Sequence, residues 1–175
     1  SNMEGHGLNA ELPDSLSGTM QNVWIYHGNP TADEDPAGGL GQWERLQPGN
    51  GAGFTSDGVS NHYSHKFGPE LSFGHRISEL YPGEKIALVK YARGGSSIDA
   101  MAAREYGSWE MDYQGETGIN QFDHVLRTVN GAMASSDIDG DGIKEELVPS
   151  GILWMQGESD GTLTEDIARR YYANL

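Results

Sequence analysis

Apolar residues recur along the chain with two different periods. Leu71, Phe73, Ile77 and Leu80 follow Pro69 at helical spacing and stop before Pro82-Gly83, which predicts a helix from a proline at its first position. Ile119, Phe122, Val125, Leu126, Val129 and Met133 predict an amphipathic helix over 119–134. Between them lie short continuous runs. Residues 23–26 (V-W-I-Y), 86–89 (I-A-L-V) and 152–155 (I-L-W-M) each have the length and composition of a buried strand. Thr162 and Glu165 predict a capping box for a last helix over 163–174. Strands alternating with helices predict an α/β layered domain with a mainly parallel sheet.

Such sheets bind ligands beyond the carboxyl ends of their strands. Two predicted strands run out there into glycine-bearing turns, 93–97 and 156–160, which marks both as candidate site loops. The stretch 28–58 is rich in Gly and Pro and reads as a long loop, with Trp43, Leu46 and Phe54 as apolar anchors that order it.

Composition narrows the function. The 175 residues suffice for one domain, 1–175, with a sizeable core. Acidic residues outnumber basic ones 26 to 11, a net charge of −15, which argues against a nucleic-acid partner and an anionic membrane surface. No apolar run approaches the roughly 20 residues of a membrane span. Cysteine is absent, which excludes disulfides and thiol catalysis.

The first residues, Ser1-Asn2-Met3-Glu4-Gly5, read in two ways: a scar of tag removal, or a nucleophilic serine on a tight turn. Acyl transfer at a serine needs a base, an orienter for that base, and donors aimed at the oxyanion. Gly94-Gly95 can bring a backbone N–H to a substrate, and Gln156 offers a side-chain amide.

Four blocks occur in order: S-N-M-E-G at 1–5, F-G-P-E-L-S-F-G at 67–74, K-Y-A-R-G-G-S-S-I at 90–98 and W-M-Q-G-E-S-D at 154–160. Together they resemble the SGNH-type carbohydrate acetylesterases related to sialate O-acetylesterase and carbohydrate esterase family 6. The resemblance covers nearly the whole chain and favours the nucleophile reading of Ser1. It implies a three-layer α/β/α, flavodoxin-like sandwich. It also implies Ser1 as nucleophile, Gly94 or Gly95 in the oxyanion hole, Gln156 in place of the family's Asn donor, and Glu158 as a residue holding its turn.

Two family features are absent from the sequence: the strand and Gly-Gln ahead of the serine, and the D-x-x-H block that supplies base and orienter. None of His6, His27, His62, His65, His75 and His124 has an Asp three residues before it. The expectation is therefore a domain incomplete at both ends, with its base beyond Leu175. Asp123-His124 reads as a solvated pair off the apolar face of its helix.

A separate signal lies at 137–145. Asp137, Asp139, Asp141, the carbonyl of Ile143 and Glu145 match the first part of a calcium loop, with Glu146 as a substitute. Position 12 is Val148, so the loop is not an EF-hand sensor. A structural calcium fits an extracellular or periplasmic setting, and catalysis needs no cofactor.

The expected activity is removal of O-acetyl groups from sialic acid or a plant or algal polysaccharide, through an acetyl-enzyme. Trp43 and Tyr26 are expected as the sugar-facing wall. A non-catalytic carbohydrate-binding module on the same scaffold is the alternative. A glycosidase using Glu158 and Asp160 fits less well, because two carboxylates on one turn do not flank a glycosidic bond.

Overall fold

The computed structural model describes residues 3–30, 32–115 and 119–175. In chain order its elements are β1 (Gly7–Leu8), β2 (Val23–His27), β3 (Trp43–Arg45), β4 (Thr55–Ser56), β5 (Asn61–His62), β6 (Lys66–Phe67), α1 (Pro69–Leu80), β7 (Ile86–Lys90), α2 (Gln121–Ala134), α3 (Glu158–Leu163) and α4 (Glu165–Asn174). Short 3₁₀ turns fill some of the connections. β2 is central in a three-stranded sheet of order β3-β2-β7.

β2 buries all five residues, so both faces of the strand need cover. Side chains alternate between the faces. Val23 and Ile25 pack with Leu46 and Leu71, which α1 supplies, and Ile86 and Leu88 of β7 join them. Each such buried side chain contributes about 1.5–3 kcal/mol. On the other face α2 approaches closely: a Cβ on Gly131 would overlap the Tyr26 hydroxyl, and one on Gly28 would overlap Thr128. β2 and β7 run parallel, pairing Val23 with Ile86 through to His27 with Lys90. Their carboxyl ends therefore lie side by side.

Several expectations need correction. Among the strand pairs of the described residues β2–β7 is parallel and β1–β6, β2–β3 and β4–β5 are antiparallel, so the sheets are not mainly parallel; two isolated parallel bridges, Ser97 with Ser108 and Ser108 with Asn120, lie outside them. Residues 152–155 are not a strand and are not buried: Ile152 is 91% exposed. Among the described residues no strand flanks β7 on its outer side, and an apolar run without a ladder partner has nothing to satisfy its backbone. The loop 28–58 is ordered around buried Leu46 and Phe54, but it also contributes β3 and β4. The last helix starts at Glu165 behind a different cap. Thr164 accepts the N–H of Ile167, whereas Thr162 lies inside α3 and donates to the Ser159 carbonyl.

Candidate active site

Ser1 lies outside the described residues; the turn that follows it does not. Gly5 has φ +90°, and a Cβ there would overlap the backbone of Gly68. The Gly5 carbonyl accepts Ala52 N–H at 2.7 Å. The Glu4 carbonyl accepts from the Lys90 ammonium at 3.1 Å. Lys90 is the last residue of β7, and its other protons go to the Asn50 carbonyl at 2.7 Å and Glu70 Oε2 at 2.6 Å. Glu70 in turn accepts the N–H of Gly68, at the head of α1. Burial holds the Lys90 ammonium below the ordinary lysine range, with Glu70 opposing it. The start of the chain is thus tied to the carboxyl end of the parallel pair.

β7 leads into Tyr91, Ala92 and then Arg93, whose guanidinium is fully buried. Arg93 donates to the carbonyls of Ala32, Asp33, Asp35 and Ala37 and to the Tyr91 hydroxyl, which fixes the segment 32–37 beside the glycine turn. From that segment Asp33 Oδ1 accepts the N–H of Gly94 at 2.9 Å. Gly95 has φ +71°, and a side chain there would overlap the Tyr106 ring. Its N–H has no hydrogen-bond partner among the described residues, while its carbonyl accepts from the Ser159 hydroxyl at 2.8 Å.

The turn 156–160 closes over the same place. Gln156 Nε2 donates to the Ser96 carbonyl at 3.1 Å and to Asp160 Oδ2 at 2.7 Å, so its donors face inward, and its Oε1 is buried without a partner. Two acceptors around that nitrogen fix which way the amide points. Asp160, fully buried, accepts the backbone N–H groups of Ile98 and Asp99. Glu158 is exposed at the first position of α3. Asp160, two residues on, joins Gln156 and Ser159 in tying this turn to the 93–99 loop. Asp99 carries the tie outward: Arg170 of α4 reaches its carboxylate at 2.9 Å.

Met3, Arg93, Ser96, Trp109, Trp154 and Gln156 together line one narrow cleft. Trp109 is locked by a bond from Nε1 to the Ser96 hydroxyl and meets Trp154 edge-on, ring centres 5.0 Å apart. The aromatic wall is this pair. Tyr26 and Trp43 pack instead under α2, where Trp43 Nε1 donates to the Ala132 carbonyl.

The histidines fall apart from one another. His27 is buried, stacked on Phe54 with ring centres 4.0 Å apart, and burial with the nearby Lys90 ammonium holds its imidazole well below the ordinary range. His124 is not solvated with Asp123. Its Nδ1 lies 2.9 Å from the Tyr91 hydroxyl, which donates to Gln121 Oε1, and burial lowers its imidazole. His6 stands nearest the start of the chain, its Nε2 3.7 Å from Glu4 Oε2.

At the expected calcium loop, ligand oxygens of Asp137, Asp139 and Glu145 come within 4.8 Å of one another. Asp141 is not with them; its Oδ1 accepts the N–H of Ile143. The Ile143 side chain is exposed. Lys85 enters the cluster, 2.5 Å from both Asp139 and Glu145.

Sequence reasoning missed Lys90, Glu70, Asp33 and Arg93, and named Asp160 only as a glycosidase carboxylate. Lys90, Arg93 and Asp160 were visible only as charges within or beside apolar strand-end blocks, a pattern that asks for a buried partner without naming it.

A family model described as "Carbohydrate esterase, sialic acid-specific acetylesterase" matches residues 1–175. No curated protein and no solved structure matches.

Proposed function

Because the chain belongs to the carbohydrate esterase family of sialic acid-specific acetylesterases, we propose that it removes acetyl groups from carbohydrate hydroxyls with Ser1 as nucleophile. The carrying observation is that Met3, the residues Arg93 and Ser96 that flank Gly94-Gly95, and the 153–156 segment border one cleft. Ser1 Oγ attacks the acetyl carbonyl and its proton passes to an imidazole base. That base returns the proton to the sugar oxygen as the ester bond breaks, leaving an acetyl-serine. Water then attacks the acetyl-serine, releasing acetate and restoring the hydroxyl. The base is of the D-x-x-H kind, which none of the chain's own histidines is.

Gly95 is the better oxyanion donor of the two glycines, since the Gly94 N–H is committed to Asp33. Gln156 serves as a donor only if its amide releases Ser96 or Asp160. One such donor is worth about 2.7–4 kcal/mol in the transition state. The test is acetate release from 4-nitrophenyl acetate and from acetylated sugars by the full-length protein and its Ser1→Ala variant. Loss of activity with retained melting temperature is expected; equal rates remove Ser1 from the mechanism.

Calcium at the acidic loop belongs to the same reading. Asp137 Oδ1 is buried without a hydrogen-bond partner, an acceptor suited to a hard cation. Lys85 balances the other two carboxylates in the meantime. A calcium-loaded loop suits an extracellular or periplasmic protein.

A further inference from the structure

Tyr91 follows β7 and lines the cleft, and its hydroxyl is a point where several segments meet. Side chains alternate along a strand, so Lys90 turns under the start of the chain while Tyr91 turns toward α2. There the hydroxyl lies 2.5 Å from Gln121 Oε1, 2.9 Å from His124 Nδ1 and 3.3 Å from the Arg93 guanidinium. The loop at Gly38 closes over the group: a Cβ on that glycine would stand 3.2 Å from the hydroxyl and 2.8 Å from His124 Nδ1.

The protons of this knot can be assigned. Gln121 is fully buried, and its Nε2 donates to the Tyr106 carbonyl at 2.6 Å, which leaves Oε1 as the atom facing Tyr91. The phenol proton therefore goes to Gln121. The phenol oxygen accepts from Arg93, and the remaining contact must be donated by the imidazole, so His124 carries a proton on Nδ1. Arg93 has backbone carbonyls to fall back on, whereas Gln121 Oε1 and His124 Nδ1 have Tyr91 alone among the described residues.

Gln121 carries this order to the glycine turn. Its backbone N–H also holds the Ser108 carbonyl, at 2.8 Å, so one residue grips the segment 106–109 twice. That segment lies along 95–98: the Trp109 N–H donates to the Ser97 carbonyl at 2.7 Å, and the Tyr106 ring fills the space that a side chain on Gly95 would occupy.

We propose that the Tyr91 hydroxyl is a positioning group of the active site: through Gln121 it fixes the segment behind Gly95, and His124 holds the hydroxyl in that orientation. The inference rests on the esterase reading above and deepens it. Without the hydroxyl, the Gln121 acceptor is buried and unpaired, which costs free energy until the amide turns. Turning releases the Tyr106 carbonyl and loosens the support of Gly95. The Tyr91 ring meets Trp109 edge-on with centres 5.8 Å apart and needs no hydroxyl for that, so the wall of the cleft survives.

The test compares acetate release from 4-nitrophenyl acetate by the full-length protein, by Tyr91→Phe, by His124→Leu, by the two combined, and by His124→Asn, whose amide nitrogen can stand where Nδ1 does. Tyr91→Phe should lower kcat by about tenfold or more, because reacting groups tolerate little misplacement. KM should change by less than about twofold, the mark of an interaction that acts in the transition state. His124→Leu should lower kcat as well, and His124→Asn should recover most of that loss. The double variant should be no slower than Tyr91→Phe, since both substitutions break one unit. Nitrogen NMR of the native protein at pH 8, above the range of an ordinary imidazole, should find His124 in the Nδ1–H tautomer. A native kcat in a folded Tyr91→Phe, losses that multiply in the double variant, or an Nε2–H tautomer overturns the inference and leaves the esterase reading standing. Should Tyr91→Phe fail to fold, His124→Asn against His124→Leu decides, and equal rates for that pair overturn the inference. Absence of hydrolysis by the native protein overturns both.

Discussion

The ammonium of Lys90 and the carboxylate of Glu70 meet at 2.6 Å in the interior, directly under the turn that follows Ser1. Removing one partner leaves a buried charge alone, at a cost of about 3–5 kcal/mol. Lys90→Met should therefore lower the melting temperature by about 10 °C. It should also release the Glu4 carbonyl, so activity falls further than stability explains. The double variant Lys90→Met/Glu70→Leu should recover part of the melting temperature but not the activity. Thermal melts and acetate release on the three proteins check this.

Asp160 holds the N–H groups of Ile98 and Asp99 together with the Gln156 amide. Hydrogen bonds to a charged group are worth about 1.5–3 kcal/mol. Asp160→Asn puts an amide N–H against donors and should reduce kcat by tenfold or more. KM should change less, because the cleft walls remain. A variant with native kcat would show that this tie does not serve catalysis.

Gly95→Ala tests the glycine turn. Alanine pays the left-handed backbone penalty of about 1–2 kcal/mol and also overlaps Tyr106. Adding Tyr106→Ala should relieve the overlap and leave the backbone strain, so stability returns only in part. Full restoration would mean that backbone conformation there costs nothing.

The buried imidazole of His27 gives a pH prediction. Its folded-state affinity for protons lies well below that of an ordinary imidazole, near pH 6.5 in the unfolded chain. The unfolded state then binds more protons below that pH, so stability must fall as pH drops from about 6.5 toward the folded value. Above it the group is neutral in both states and contributes no slope. Glu4 is raised by burial and by Asp33, and works in the opposite direction at lower pH. The comparison of His27→Gln with the native protein between pH 5 and 7.5 isolates the histidine. The variant should show the shallower loss on acidification.

Calcium should raise the melting temperature of the native protein and a chelator should lower it. Lys85→Met, which removes the resident ammonium from Asp139 and Glu145, should enlarge the shift, and Asp139→Asn should abolish it. If neither protein responds to calcium, the acidic loop is held by Lys85 alone.

What the sequence disclosed depended on how local the physics is. α1, α2, β2 and β7 were legible because helical spacing or a continuous apolar run, with a proline at the start of α1, is written within each segment. The run 152–155 showed that its side chains are apolar, but a strand needs a neighbour, and no local pattern names one. Lys90 and Glu70 stand twenty residues apart, and Asp33 and Gly94 sixty-one, so neither contact is encoded in spacing. The cap of α4 was misplaced by two positions because Thr162 and Thr164 both offer a hydroxyl, and the geometry of α3 decides between them.

The grip of Arg170 on Asp99 ties α4 to the loop beside the cleft, though α4 contributes no wall to it. Asp99 is held from outside by that helix while Asp160 holds its N–H from inside, so the glycine turn is clamped between two elements late in the chain. Damage to the last helix should register first as a slower enzyme and only later as an unfolded one.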